Sequence, residues 1–135
     1  MTIVVDASVA ARWFLPLEKN DAAKALLRSG ERIIAPDLVI VELANTAWKA
    51  TTFGNAPLET GRDFVGESAR YFHELVPSSR LKDRALEIAL ALKHPVYDCF
   101  YIALAEQRGC RLVTADERLQ RKCATTPFAA FLTAL

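Results

Sequence analysis

The feature that most constrains this chain is a set of short apolar runs that do not alternate. Ile3-Val4-Val5, Arg32 to Ala35 and Arg111 to Thr114 are rich in β-branched residues and carry no polar residue at every second position. A strand with one wet face reads apolar and polar in turn. An unbroken run signals burial on both faces, as in a parallel sheet covered by helices. The intervening segments carry helical punctuation. Ser8 is placed to cap a helix through about Leu15, which Pro16 stops. A second helix is expected from about Asp21 to Arg28, ending at Gly30. Pro36 opens a third through about Thr51, and Gly54 and Pro57 mark the turn that follows. Leu58 to Glu74 reads as helical despite Gly61 and Gly66, and Leu75 to Pro77 as a brief strand. Ser79 is expected to cap a helix from about Arg80 to Lys93. Another runs from Tyr97 to Arg108 with Gly109 as its stop, followed by a short helix from Asp116 to Lys122. Phe131 to Leu135 is read as a closing edge strand. Strands separated by helices predict an α/β sandwich around a parallel sheet.

Residues 1–135 fit a single domain, with 52% hydrophobic residues and no repeat or linker. Net charge is +1, so no global basic field announces a nucleic-acid binder, and affinity for phosphate must come from local patches. Cys99, Cys110 and Cys123 form no CxxC pair or zinc spacing and read as reduced thiols of a cytoplasmic protein. The N-terminus lacks the basic flank of a signal peptide, and no apolar run approaches the roughly 18 residues of a membrane span.

In a parallel α/β sheet, ligands bind beyond the carboxyl ends of the strands. Asp6 and Asp116 occupy two such ends, and Glu42 and Asp98, on helices, complete a possible carboxylate cluster. Hard divalent cations take oxygen ligands, and in phosphoryl displacement such ions activate water and stabilise the reacting oxygens. Each acid also has a structural role open to it. Asp6 and Asp116 suit turns or caps. Glu42 shares a face with Leu38, Asn45 and Lys49, opposite Ile40, Ala44 and Ala47, as on a solvated helix. Asp98 lies beside the apolar stripe of Tyr101, Ile102 and Ala105, where a carboxylate must be capping, paired or coordinating. His73 and His94 read as surface or core histidines without a second ligand. Arg108, Arg111, Arg118, Arg121 and Lys122 gather around the Asp116 segment in sequence, a patch for an RNA backbone or a solvated face. Trp13 and Phe14 read as core or interface, with base stacking the alternative.

Val4-Val5-Asp6-Ala7-Ser8, Pro36 through Glu42-Leu43-Ala44-Asn45, Tyr97-Asp98-Cys99 with Tyr101-Ile102-Ala103-Leu104-Ala105, and Leu112-Val113-Thr114-Ala115-Asp116 together resemble the PIN-domain family, in particular the VapC-type toxins of toxin–antitoxin systems. The resemblance implies a three-layer sandwich with strand order 3-2-1-4-5 and Mg²⁺- or Mn²⁺-dependent endoribonuclease activity. It further implies homodimerisation and inhibition by a VapB-type antitoxin. By position it implies Asp6, Glu42, Asp98 and Asp116 as the catalytic and metal-holding acids, with Ser8 and Thr114 supporting them. Arg118 and Arg121 are the candidate RNA contacts. Glu117 is an extra acid, Leu119 stands where the family often carries an aromatic, and Thr125 to Leu135 fits the pattern least well. The alternative reading is a PIN-fold interaction module without turnover.

Overall fold

The computed structural model describes residues 1–135. Five strands, β1 (Thr2–Val5), β2 (Arg32–Pro36), β3 (Glu74–Val76), β4 (Arg111–Thr114) and β5 (Leu132–Ala134), form one sheet of order β3-β2-β1-β4-β5. Every pairing is parallel. The non-alternating runs sit where that pattern demands: Ile3, Val4, Val5, Ile33, Ile34, Leu112 and Val113 are all buried. The helices are α1 (Ala7–Ala11), α2 (Asn20–Leu27), α3 (Leu38–Thr52), α4 (Leu58–Ser68), α5 (Lys82–Leu92), α6 (Val96–Arg108) and α7 (Glu117–Cys123). Parallel crossovers are right-handed, which sends α1 to α4 to one face and α5 to α7 to the other.

Helix starts differ from expectation in several places. Pro36, expected to open a helix, ends β2, and α3 begins at Leu38. Asp6, not Ser8, is the N-cap of α1, because its carboxylate accepts the Val9 amide while Ser8 sits inside the first turn. The helix also stops at Ala11, earlier than Leu15. Ser79 does not cap α5. Residues Ser78–Arg80 make a 3₁₀ turn, and α5 begins at Lys82 with no side-chain cap. The turn is held from outside, since Asp37 accepts both the Ser78 amide and hydroxyl. The helix expected to continue to Glu74 ends at Ser68, and a 3₁₀ turn leads into β3.

Other readings hold with reasons visible in the packing. Gly109 closes α6 at φ 60, a left-handed conformation that costs glycine little. The buried stripe of α3 is Val39, Leu43 and Ala47, so Ile40 lies to one side and Ala44 is exposed. Trp13 belongs to the core: it packs on Tyr71 and Phe72, and its indole N–H donates to the Ala23 carbonyl at 3.0 Å. Phe14 packs edge-on against Phe64 and Tyr71. Trp13 is buried and Phe14 half-buried among these rings, which supports their reading as core. The last residues pair as β5 alongside β4, with Leu112 opposite Leu132. No single helix is long and apolar enough to cross a membrane.

Candidate active site

The register of the two central strands builds the first part of the site. β1 and β4 align Val5 with Val113, so Asp6 and Thr114 emerge side by side at the carboxyl edge. Asp6 is only 4% exposed. One carboxylate oxygen accepts the Ser8 hydroxyl at 2.5 Å and the Val9 amide at 3.2 Å, and the other accepts the Thr114 hydroxyl at 2.5 Å. Each hydroxyl is itself anchored, Ser8 by the Ala115 amide at 2.9 Å and Thr114 by the Asp116 amide at 3.0 Å. Burial pushes the Asp6 carboxyl up to about 6 despite these donors, and the charge of Asp98 adds to the rise. No ion pair reaches Asp6.

Glu42 projects from α3 towards the same edge. Its carboxylate accepts the hydroxyl of Tyr101, a fully buried α6 residue, at 2.5 Å. Burial raises the Glu42 carboxyl, Tyr101 opposes that, and the charges of Asp98 and Asp6 add to it. Asp98 stands in the first turn of α6, where Pro95 holds the N-cap position, so it is not a cap. Its partner is His94, whose Nε2 lies 2.7 Å from the carboxylate. The charge of Asp98 thus acts on both Asp6 and Glu42, which groups three of the four expected acids.

Asp116 is placed differently. It is the N-cap of α7, accepting the Arg118 amide at 2.9 Å and the Leu119 amide at 3.2 Å. It joins the other acids through the Thr114 hydroxyl, which accepts the Asp116 amide and donates to Asp6. No three acidic, histidine or cysteine side chains converge closely enough to form a ready-made metal cage. The donor set nevertheless suits a hard cation. It consists of carboxylate oxygens, one of them buried without a positive partner, and such ions are often held by one or two carboxylates plus water and substrate. Cys99, beside Asp98, is no competitor as a nucleophile, since burial pushes its thiol up to about 12.

A groove of about 670 Å³ opens onto this edge between α1 and α3, lined among others by Ser8, Arg12, Glu42, Asn45, Lys49 and Tyr97. Of the basic residues that gather in sequence around Asp116, Arg108 and Arg111 separate from it in space, while Arg118, Arg121 and Lys122 stay on the helix it caps. Arg108 pairs with Glu74 at 2.6 Å and Arg111 with Glu31 at 3.0 Å, Arg111 lying at the opposite end of β4 from Asp116. Arg118 and Arg121 are exposed on α7, with Arg121 3.8 Å from Glu117. Arg12, Tyr101 and His94 were not among the sequence candidates. The His94–Asp98 spacing of four was the one legible signal. The reach of Tyr101 to Glu42 spans 59 positions and left none.

Strand order, the acids at the strand ends and the hydroxyl-braced Asp6 describe one architecture. The chain belongs to the PIN domain family, whose model matches residues 3–124. Its relatives include Ribonuclease VapC3 of Pyrobaculum aerophilum, 34% identical over 90% of this chain and 95% of that protein. Ribonuclease VapC9 of Mycobacterium tuberculosis is 35% identical over 92% of this chain and 96% of its own length. Among solved structures, PAE2754 from Pyrobaculum aerophilum superposes with a TM-score of 0.71 at 23% identity, covering 90% of this chain and 79% of that one. VapBC2 from Rickettsia felis, solved on a fragment of promoter DNA, gives 0.70 at 14% identity over 100% and 99%. At those identities the structures speak for the fold, and the two ribonucleases for the kinship.

Proposed function

We propose that this protein is a divalent-metal-dependent endoribonuclease, the toxin of a type II toxin–antitoxin pair, held in check by a VapB-type antitoxin. The carrying observation is Asp6. A buried carboxylate with no Lys, Arg or His partner, within reach of the charges of Asp98 and Glu42, is an unfavourable charge on its own and a seat for a positive one. Its kinship with VapC ribonucleases points the same way.

Asp6 and Asp98 would hold Mg²⁺ or Mn²⁺, with Glu42 and Asp116 contributing from either side. When bound, the metal supplies an activated water and charge stabilisation for in-line displacement at phosphorus. Ser8 and Thr114 keep the Asp6 carboxylate oriented and ionised by donating to both oxygens. Tyr101 fixes the Glu42 rotamer. Asp98 is steadied by His94. Arg118 and Arg121 stand on α7, next to the Asp116 cap, where a phosphate backbone can reach them. The products are a 5′-phosphate and a 3′-hydroxyl, and a homodimer in the cytoplasm is the expected state.

Asp6→Asn and Asp98→Asn are expected to lose nearly all Mg²⁺- or Mn²⁺-supported cleavage of RNA while keeping the wild-type circular dichroism spectrum. Cleavage by both variants at the wild-type rate, at matched purity, would remove this site from the chemistry. The lack of a preformed cage favours one other reading, a PIN-fold interaction module without turnover. Failure of the wild type to cut any RNA with either metal would support it.

A further inference from the structure

Arg12 is unusual among the basic residues of this chain. Its guanidinium is held by two main-chain carbonyls, Nε on Glu18 at 2.7 Å and Nη1 on Ser8 at 2.6 Å, and by no carboxylate. A carbonyl orients a guanidinium without cancelling its charge. Arg32, Arg84, Arg108 and Arg111 are each tied to a glutamate. Five N–H groups radiate from a guanidinium, and two are used here, which leaves three on a side chain already fixed in place. Arg12 lines the groove that also holds Ser8 and Glu42, so a full positive charge shares that groove with one acid of the cluster and with the hydroxyl that braces Asp6. Across the groove, Asn45 and Lys49 follow Glu42 along α3 by about one and two helical turns. Lys49 is exposed and makes no ion pair. The exposed ring of Tyr97, one residue before Asp98, lines the same groove.

We infer that Arg12 is a phosphate-holding residue of the site, and that single-stranded RNA approaches the acids along the groove between α1 and α3, with Lys49 taking a second phosphate and Tyr97 offering a stacking face. The charge pattern selects the occupant. Two cations without acidic partners line the groove beside a stackable ring and the apolar side chains of Leu17 and Val41, so phosphates can meet charge while bases meet apolar surface, the combination that single-stranded nucleic acids require. Arg rather than Lys at position 12 suits a planar, forked contact to phosphate oxygens. The inference rests on the nuclease reading, but it is read out by binding and not by cleavage.

The test is fluorescence anisotropy of a labelled single-stranded RNA of random sequence, in chelator so that nothing is cut, over a series of salt concentrations. Each phosphate contact to a single strand contributes about 0.7 to the slope of log affinity against log salt. Arg12→Gln and Lys49→Gln should each flatten the slope by about 0.7 and weaken binding several-fold, and the double variant should flatten it by about twice that. Arg28→Gln, an exposed arginine closing α2, should leave the slope unchanged. Lys49→Gln changes an exposed side chain, so it carries the test even if Arg12→Gln unfolds. Wild-type slopes in both variants, with only a lowered melting temperature for Arg12→Gln, would make Arg12 a structural clamp and overturn the proposal. Retained RNA affinity with lost affinity for polyglutamate would overturn it too, assigning the groove to an acidic peptide. Loss of cleavage in Asp6→Asn with unchanged slopes for the groove variants would separate the nuclease reading from this one.

Discussion

Asp6→Asn should reshape how stability depends on pH in the metal-free protein. The folded carboxyl sits at about 6 against an ordinary 3.8, because burial penalises its charge. At 1.36 kcal/mol per pKa unit, the gap corresponds to about 3 kcal/mol at alkaline pH. The direction follows from proton counting. The folded state holds this proton more tightly than the unfolded chain, so the wild type loses stability as pH rises from ~4 and levels off above ~6. Asn does not titrate, so the variant lacks that decline. The substitution has its own cost: Asn can still accept the Val9 amide, but one of the Ser8 and Thr114 hydroxyls loses its carboxylate acceptor, which costs about 1–2 kcal/mol. The balance reverses sign across the titration. At ~pH 8 the variant should be the more stable by about 1 kcal/mol, and at ~pH 4 the less stable by about 1 kcal/mol. Urea denaturation in chelator, followed by circular dichroism at several pH values, measures the difference between the two proteins and cancels titrations they share. Parallel stability curves from ~pH 4 to ~pH 8 would refute the argument, because the Asp6 carboxylate would then carry no burial penalty. Adding Mn²⁺ at ~pH 8 should raise the wild-type melting temperature by mass action and that of Asp6→Asn much less.

Two substitutions away from the strand ends follow from contacts already described. Tyr101→Phe removes the only hydroxyl on Glu42, so the Glu42 carboxyl should rise further and the acid limb of the cleavage pH profile should move to higher pH, with stability falling by about 1–2 kcal/mol; an unmoved limb would show that Glu42 does not need this bond. Trp13→Ala should cost about 3–5 kcal/mol in urea denaturation through loss of its ring packing and the bond to Ala23, since this ring is core. A weaker RNA affinity at unchanged stability would return it to base stacking.

The strands and the acids at their ends were legible because both are local signals. A non-alternating run marks double burial, and Asp6 and Asp116 follow such runs directly. Which residue caps which helix was less legible. Asp6 and Ser8 are both good caps two positions apart, and the choice fell to Asp6 because β4 delivers the Thr114 hydroxyl to its other oxygen. Ser79 lost its expected role because Asp37, more than 40 positions earlier, holds the neighbouring Ser78 in a 3₁₀ turn. Arg108 and Arg111, near Asp116 in sequence, were misleading for a related reason. Arg111 begins β4 and Asp116 follows its end, so the length of the strand separates them, and Glu31 neutralises Arg111 from across the sheet. Arg12 gave no sequence signal because nothing in its neighbours shows that carbonyls, not carboxylates, would hold it.

The hydroxyl that Thr114 donates to Asp6 crosses 108 positions of the chain. A carboxylate at the end of β1 is therefore completed by a hydroxyl at the end of β4, and β1, at the centre of the sheet, waits for β4 to fill its second edge. On a ribosome, where domains fold as units during synthesis, all 108 positions from Asp6 to Thr114 must emerge before the site can exist. The braced carboxylate cannot form until β4 has been made. The topology acts as a timer set by the stretch between β1 and β4, and a permuted chain that brought these strands together early would lose that delay while keeping the Asp6–Thr114 bond.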